Sequence, residues 1–341
     1  MSEKVNQVFI IAEAGVNHNG QFDLALKLCD EAKKTGVDAV KFQTWKTENI
    51  VTSSAVLATY QEENISTKSD SQFQMLKRLE LSYNEFIQIN AYCNQIGLKF
   101  LSTPDDEESL DFLCSLNLDF IKVGSGEVTN IPFLRKIGSK KQSVVLSTGM
   151  STLGDVERAY NTLLNSGAAS VDLLHCTTNY PCPMDEVNLR AMQTLKETFK
   201  CKVGYSDHTL GIEVPIAAVA MGATIIEKHF TLDKTMEGPD HKASLNPQEL
   251  SEMVIAIRNI EKSLGNGIKK PNKSEEEISK VVLKSIVAQK DISKGDFFTE
   301  DNLTIKRASN GISALYWDFV IGKTALKDYK IDDCISLENK E

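Results

Sequence analysis

Eight short apolar runs, each followed by polar or charged residues and most separated by helical periodicity, constrain this chain more than anything else. The runs are Val8–Glu13, Ala39–Gln43, Lys99–Thr103, Phe120–Gly124, Val144–Thr148, Val171–Thr177, Val203–Asp207 and Thr224–His229. Their length and flanking turn signals mark them as buried strands. Between the first two, Phe22, Leu26, Cys29 and Lys33 fall on one helical row and Ala25, Leu28 and Ala32 on another; Met192, Leu195 and Phe199 form a third after the sixth run. Strand and helix alternating eight times over about 250 residues predicts an α/β fold, a (β/α)₈ TIM barrel.

In such a barrel the reactive groups gather at the C-terminal ends of the strands. Those ends carry Glu13, Lys41, Gln43, Ser102, Thr103, Lys122, Ser125, Ser147, Thr148, Thr177, Ser206 and Glu227. All five histidines, His18, His175, His208, His229 and His241, also lie at or just beyond an apolar run. Histidines kept to one rim suggest a metal or catalytic centre there.

The net charge is −9 with no basic stripe, which argues against nucleic acid as a partner. No run reaches the length of a membrane span and the N-terminus has no apolar signal core, so a cytoplasmic protein with no membrane partner is expected. The seven cysteines contain no CxxC pair and read as reduced thiols; Cys176, beside His175, reads as a buried thiol rather than a nucleophile. Glycines, a proline and clustered charge over Leu264–Ser279 break the pattern. The expected division is a barrel over 1–265, a linker over 266–284 and a small β-rich domain over 285–341, with short strands at Ser285–Ala288, Asp291–Gly295 and Asn302–Lys306 and more from Gly322 onward.

An ordered set of motifs then runs nearly the whole chain. It comprises Glu13–Gly20 (EAGVNHNG), Lys41–Gln43 (KFQ), Lys122–Glu127 (KVGSGE), Leu146–Met150 (LSTGM), His175–Pro181 (HCTTNYP), Gly204–Thr209 (GYSDHT), Glu227–Thr231 (EKHFT) and Gly238–Ala243 (GPDHKA). By these the chain resembles the sialic acid synthases, including the N-acetylneuraminate and N,N'-diacetyllegionaminate branches. Lys306–Ala314 (KRASNGISA) resembles the antifreeze-like (SAF) domain that such enzymes carry. Two residues depart from the family pattern: Asp105 stands where Phe is usual, and Ala308 where Pro is usual.

The resemblance implies a condensation of phosphoenolpyruvate with an N-acylated mannosamine-type sugar, either N-acetylmannosamine or 2,4-diacetamido-2,4,6-trideoxymannose. It implies a divalent metal, Mn²⁺ or otherwise Mg²⁺ or Co²⁺, on His208 and His229; from the residues alone that pair fits a hydrogen-bonded core equally well. Lys41, Lys122, Ser125, Ser147 and Ser206 suit a phosphate and a carboxylate, although a barrel lysine could instead form a Schiff base. Gln43, Tyr180, Asp240 and Arg307 would read the sugar. Glu13 and Glu127 would carry a proton, and Arg307 would close the site of the other subunit of a domain-swapped homodimer. Asn17 and His18 shape the site or only an ordinary Asn-Gly turn. The competing expectations are a phosphoenolpyruvate-condensing synthase acting on another aldose, and a non-catalytic carbohydrate-binding protein.

Overall fold

The computed structural model describes residues 7–57, 71–308 and 310–338, which divide into two compact units, Met1–Gly265 and Asn266–Glu341. In the first unit eight strands form one all-parallel sheet: β1 (Phe9–Gly15), β2 (Ala39–Thr44), β3 (Lys99–Pro104), β4 (Ile121–Val123), β5 (Ser143–Ser147), β6 (Ser170–His175), β7 (Val203–Asp207) and β8 (Ile225–His229). The order β3-β2-β1-β8-β7-β6-β5-β4 joins the first strand to the last through a ladder that pairs Ile11 with Glu227 and Glu13 with His229. β3 and β4 lie side by side, so the sheet curls into the expected eight-stranded barrel.

Side chains alternate across a strand with period two, and here that period sorts them into a layered interior. Ile11, Ala39, Leu101, Val145, Leu174 and Ile225 point inward and form one apolar layer that blocks the barrel. Two residues further along the same strands come Glu13, Lys41, Thr103, Ser147, Cys176 and Glu227, which line a cavity above that layer. The intervening residues, among them Ile10, Val40, Phe42, Phe100, Leu146, Leu173, Val203 and Ile226, face outward into the main core with Leu28, Ile89, Leu134, Leu163, Ala218 and Ile257. One inward position must be glycine: a Cβ on Gly204 would stand 2.3 Å from the Ile225 carbonyl and 2.6 Å from Leu174 Cδ2.

The second unit holds the helix Lys273–Val282 and an antiparallel pair, β9 (Lys284–Ala288) and β10 (Leu303–Arg307). Its core is Ile286, Ala288, Ile292, Phe298, Leu303, Val320, Ala325, Tyr329 and Ile335. The strand expected at Asp291–Gly295 is a single bridge, Ile292 to Tyr329, and Gly322 onward contributes Phe297–Thr324 and Val287–Cys334 bridges. Turns follow so closely there that pairing does not propagate into ladders. The segment read as a linker contains a helix whose start is signalled by the capping box of Asn272 and Glu275. Its charge had hidden the apolar row Ile278, Val281 and Val282, all of them exposed in the described chain.

Candidate active site

The cavity at the C-terminal mouth of the barrel is about 180 Å³ and draws its walls from all eight strand ends or the loops that follow them. Ten of the residues singled out in the sequence line it: Glu13, Lys41, Gln43, Lys122, Ser125, Ser147, Tyr180, Ser206, His208 and His229.

Two lysines and two carboxylates occupy its floor. Lys41 Nζ donates to Thr103 Oγ1 at 2.8 Å and lies 2.7 Å from Glu13 Oε2 and 3.8 Å from Glu227 Oε2. Lys122 Nζ donates to Ser147 Oγ at 2.7 Å and lies 3.5 Å from Glu227 Oε1, which also accepts from Ser206 Oγ at 3.0 Å. All four charged groups are buried. Burial alone would neutralise them, and their mutual charges decide who stays ionised. Burial depresses Lys41, but Glu13 and Glu227 outweigh it and leave its pKa raised. Burial lifts Glu227, but Lys122 and Lys41 outweigh it and leave its pKa lowered. For Glu13 burial wins over Lys41, helped by the charge of Glu227, and the carboxyl is pushed up to about 7. Lys122 is lowered, by burial first. The result is one carboxyl poised to exchange a proton near neutrality beside a fixed charge pair.

Three buried polar atoms at this floor and rim have no hydrogen-bond partner, Glu227 Oε2, Thr178 Oγ1 and His229 Nδ1, while Glu13 Oε2 has only its ion pair with Lys41. Orphaned buried groups are rare and costly, and three of them facing one cavity are what a site for a polar ligand leaves behind.

The imidazoles of His208 and His229 are 5.3 Å apart, with the Tyr180 ring 4.1 Å and 5.4 Å from them. Burial holds His208 below the ordinary histidine value and His229, pressed further by His208, well below it. Both are therefore neutral and able to offer a lone pair. His208 Nδ1 bonds the Thr177 carbonyl at 2.6 Å, which fixes that nitrogen as the donor and leaves Nε2 bare, the arrangement typical of a metal-binding imidazole. No group of three His, Cys, Asp or Glu among the described residues is disposed to hold an ion. The pair could supply two neutral ligands to a divalent cation, with any others coming from outside these side chains.

The other histidines do not join this centre. His175 is an outward residue of β6 and bonds the Val187 carbonyl at 2.8 Å. His18 and His241 form a separate buried set, with His241 bonded to Thr231 Oγ1 at 2.7 Å and Asn19 Oδ1 at 3.2 Å. Asn17 ties the turn after β1 to the end of β8, donating to the Phe230 carbonyl at 2.8 Å and Ser244 Oγ at 2.9 Å. The single rim centre expected for five histidines is thus a pair, because strand parity turns His175 away and His18 and His241 lie beyond the strands.

Asp240 stands 3.8 Å from His229 Nδ1, its carboxyl pushed up to about 6 by burial. Glu127 ends the 3₁₀ turn Ser125–Glu127, where Asn130 Nδ2 donates to it at 2.6 Å, and burial raises its pKa. Cys176 lies in the wall with its Sγ 3.1 Å from Ser125 Oγ; burial pushes the thiol up, so it is unreactive. Arg307 belongs to the second unit, at the exposed end of β10. Among the other wall residues, Glu227 and Thr103 had been placed at strand ends without a role, Asp105 had been noted only as a departure, and Thr178 had been given no role. Glu227 was detectable, since it lies two residues before His229 and must share its inward face.

Comparison with known proteins fixes the lineage. The NeuB family matches residues 28–269 and the SAF domain matches 284–338. The chain belongs to the NeuB family. It is 51% identical to the N,N'-diacetyllegionaminic acid synthase of Campylobacter jejuni over 97% of this chain and 99% of that one. The enzyme of the same name from Legionella pneumophila is 46% identical over 92% of this chain and 89% of that one. Among solved structures, the N-acetylneuraminic acid (sialic acid) synthetase of Leptospira borgpetersenii, in complex with citrate, superposes with a TM-score of 0.70 at 35% identity, covering 80% of this chain and 90% of that one. This NeuB-family chain is accordingly a biosynthetic enzyme of the transferase class.

Proposed function

We propose that the protein condenses phosphoenolpyruvate with 2,4-diacetamido-2,4,6-trideoxymannose to give N,N'-diacetyllegionaminate and phosphate. The observation that carries this reading is a buried floor of two lysines and two carboxylates, set in a chain 51% identical, nearly end to end, to a synthase of that acid. N-acetylmannosamine is the alternative acceptor.

Lys41 and Lys122 take the phosphate and carboxylate of phosphoenolpyruvate as point charges, with Ser125, Ser147 and Ser206 fixing their orientation. Gln43, Tyr180 and Asp240 hold the sugar. C3 of the enol attacks the open-chain aldehyde and forms the new C–C bond, and the aldehyde oxygen takes a proton. Water adds to the cation left at C2, releasing a proton, and the tetrahedral intermediate expels phosphate by C–O cleavage. Glu13 is the better placed proton carrier: it lines the cavity and its pKa of about 7 lets it give and take a proton at neutral pH. Glu127, engaged by Asn130, is the second candidate. His208 and His229 would hold a divalent cation, Mn²⁺ or otherwise Mg²⁺ or Co²⁺, which when bound would supply Lewis acidity toward the aldehyde.

The direct test is phosphate release from phosphoenolpyruvate with each sugar in turn. A higher kcat/KM for the diacetamido sugar is expected; preference for N-acetylmannosamine would reassign the substrate, and no release with either would overturn the activity.

We further propose that the enzyme works in the cytoplasm as a homodimer in which Arg307 completes the partner's site. Arg307→Ala and His208→Ala variants should each be inactive alone. After subunit exchange, about half the dimers are mixed and carry one intact site, so roughly a quarter of full activity returns. No recovery, with exchange confirmed by differently tagged chains, would place Arg307 in its own barrel.

A further inference from the structure

The end of β3 carries two consecutive aspartates with different fates. Asp106 is committed to the backbone: its carboxylate accepts from the Glu108 and Ser109 amides at 2.9 and 3.0 Å and from the Lys46 amide at 2.7 Å. Asp105 is held only by its main chain, whose N–H donates to the Thr44 carbonyl at 3.0 Å. Among the described residues nothing donates a hydrogen bond to its carboxylate, yet the residue is half-buried in the wall of the catalytic cavity.

Asp105 also lines a second cavity, of about 560 Å³, together with Glu107, Asp111 and Lys136. The two cavities therefore adjoin at this residue. The first, at about 180 Å³, is smaller than the roughly 300–1,000 Å³ of an ordinary small-molecule site, and two substrates must share it. The acceptor sugar has to extend past Asp105 toward the larger space. That space carries no spare positive charge, because Lys136 is paired with Glu107 at 2.8 Å and Asp111 at 3.3 Å.

We propose that Asp105 is a specificity-determining residue: its carboxylate accepts a hydrogen bond from the end of the acceptor sugar remote from the aldehyde and, by its charge, rejects acceptors phosphorylated there. This deepens the reading of the protein as a sugar-acid synthase and rests on it. A carboxylate pairs well with a hydroxyl or amide N–H, and a phosphate brought beside it meets an uncompensated like charge. Burial and the nearby Glu127 push Asp105 to about 7, so pH 8 is the condition at which its charge is fully expressed.

The test uses the full chain with Mn²⁺ at pH 8. Phosphate release is driven by the diacetamido sugar, and N-acetylmannosamine and N-acetylmannosamine 6-phosphate are compared as competing ligands. Wild type should bind the neutral sugar far better than its phosphate. Asp105→Asn keeps the shape and an acceptor oxygen but removes the charge, and should narrow that preference by at least about tenfold. Asp105→Ala should raise KM for the acceptor about tenfold, the worth of one hydrogen bond to a charged group, with kcat and KM for phosphoenolpyruvate little changed. An unchanged preference in Asp105→Asn, or a variant that shifts KM for phosphoenolpyruvate instead, would overturn the proposal. If wild type releases no phosphate with any sugar, the synthase reading fails by itself, and calorimetric binding of the neutral and phosphorylated sugars to wild type and Asp105→Asn still decides the role of Asp105.

Discussion

β7 and β8 carry buried ions on both faces, and the two sets are finished differently. On the outer face Lys228 and Asp207 are both fully buried and 2.5 Å apart. Lys228 also donates to the Thr209 carbonyl, and both oxygens of Asp207 accept from Thr209. On the inner face, one residue away along the same strands, Glu227 is shared between Lys122 and Lys41 and keeps Oε2 without a partner. The same chemistry is saturated outside and left open inside. A buried ion pair helps a fold only when its remaining valences are filled, so the outer set is built for structure and the inner one for an incoming anion.

The sharpest way to break this contrast is to remove one lysine from each side. Lys122→Met should lower phosphate release at least about 10³-fold, because the transition state loses a buried charge aimed at it. Its thermal midpoint should move little, since Glu227 retains Lys41 and Ser206. Lys228→Met should do the reverse on stability, costing about 3–5 kcal/mol in urea unfolding by leaving Asp207 buried and uncompensated. Its ammonium bonds Asp207 and the Thr209 carbonyl, neither of which lines the cavity, so the folded fraction should keep most of its activity. Equal stability losses for the two variants would erase the distinction drawn here.

The strands and their inner polar ends were legible because period two and period 3.6 are written directly in the apolar positions. Lys41, Lys122, Ser147 and Ser206 could be placed for that reason. Glu227 could be placed at a strand end but given no role, although counting back from His229 assigns its inward face. The opposite error gathered five histidines into one centre, where parity separates His175 and the loop position separates His18 and His241. The helix Lys273–Val282 was missed because clustered charge over Lys269–Glu277 outweighs its short apolar row, Ile278, Val281 and Val282. Asp105 could be noticed in the sequence only as an unusual residue; its freedom from hydrogen bonds needs the neighbouring Asp106 to be seen capping the following helix.

A third buried set sharpens the contrast by using pH. His18 and His241 are both fully buried and both held down to about 4, by burial first, with His241's charge adding for His18. Their folded values lie below the unfolded value near 6.5, so the unfolded chain binds more protons between pH 6.5 and 4. Stability contributed by neutral imidazole is therefore complete above about 6.5 and is lost as pH falls toward 4, by about 3 kcal/mol for each residue. Urea unfolding from pH 7 to 4.5 should show His241→Gln with a shallower acid slope than wild type. An identical slope would mean that His241 accepts a proton in the fold as readily as out of it.

The smallest effect tests whether an unpartnered atom always signals a ligand. Tyr205 faces outward beside Asp207, and its hydroxyl is buried with no hydrogen bond. Burial, then the charge of Asp207, pushes the phenol pKa up, so it stays a neutral donor whose nearby acceptor, the Asp207 carboxylate, is already engaged by Thr209. Tyr205 itself does not line the cavity, so a ligand there does not reach its hydroxyl. Removing an unsatisfied hydroxyl recovers its desolvation cost, so Tyr205→Phe should be neutral or more stable by up to about 1 kcal/mol. Thr178→Val removes an orphaned hydroxyl too, but one in the cavity wall. It should be equally harmless to stability while raising KM for a substrate several-fold, about 1 kcal/mol of binding. If Tyr205→Phe destabilises the fold or Thr178→Val leaves both KM values alone, inner and outer orphans are alike and the unsatisfied atoms of the floor lose their meaning as a mark of the site.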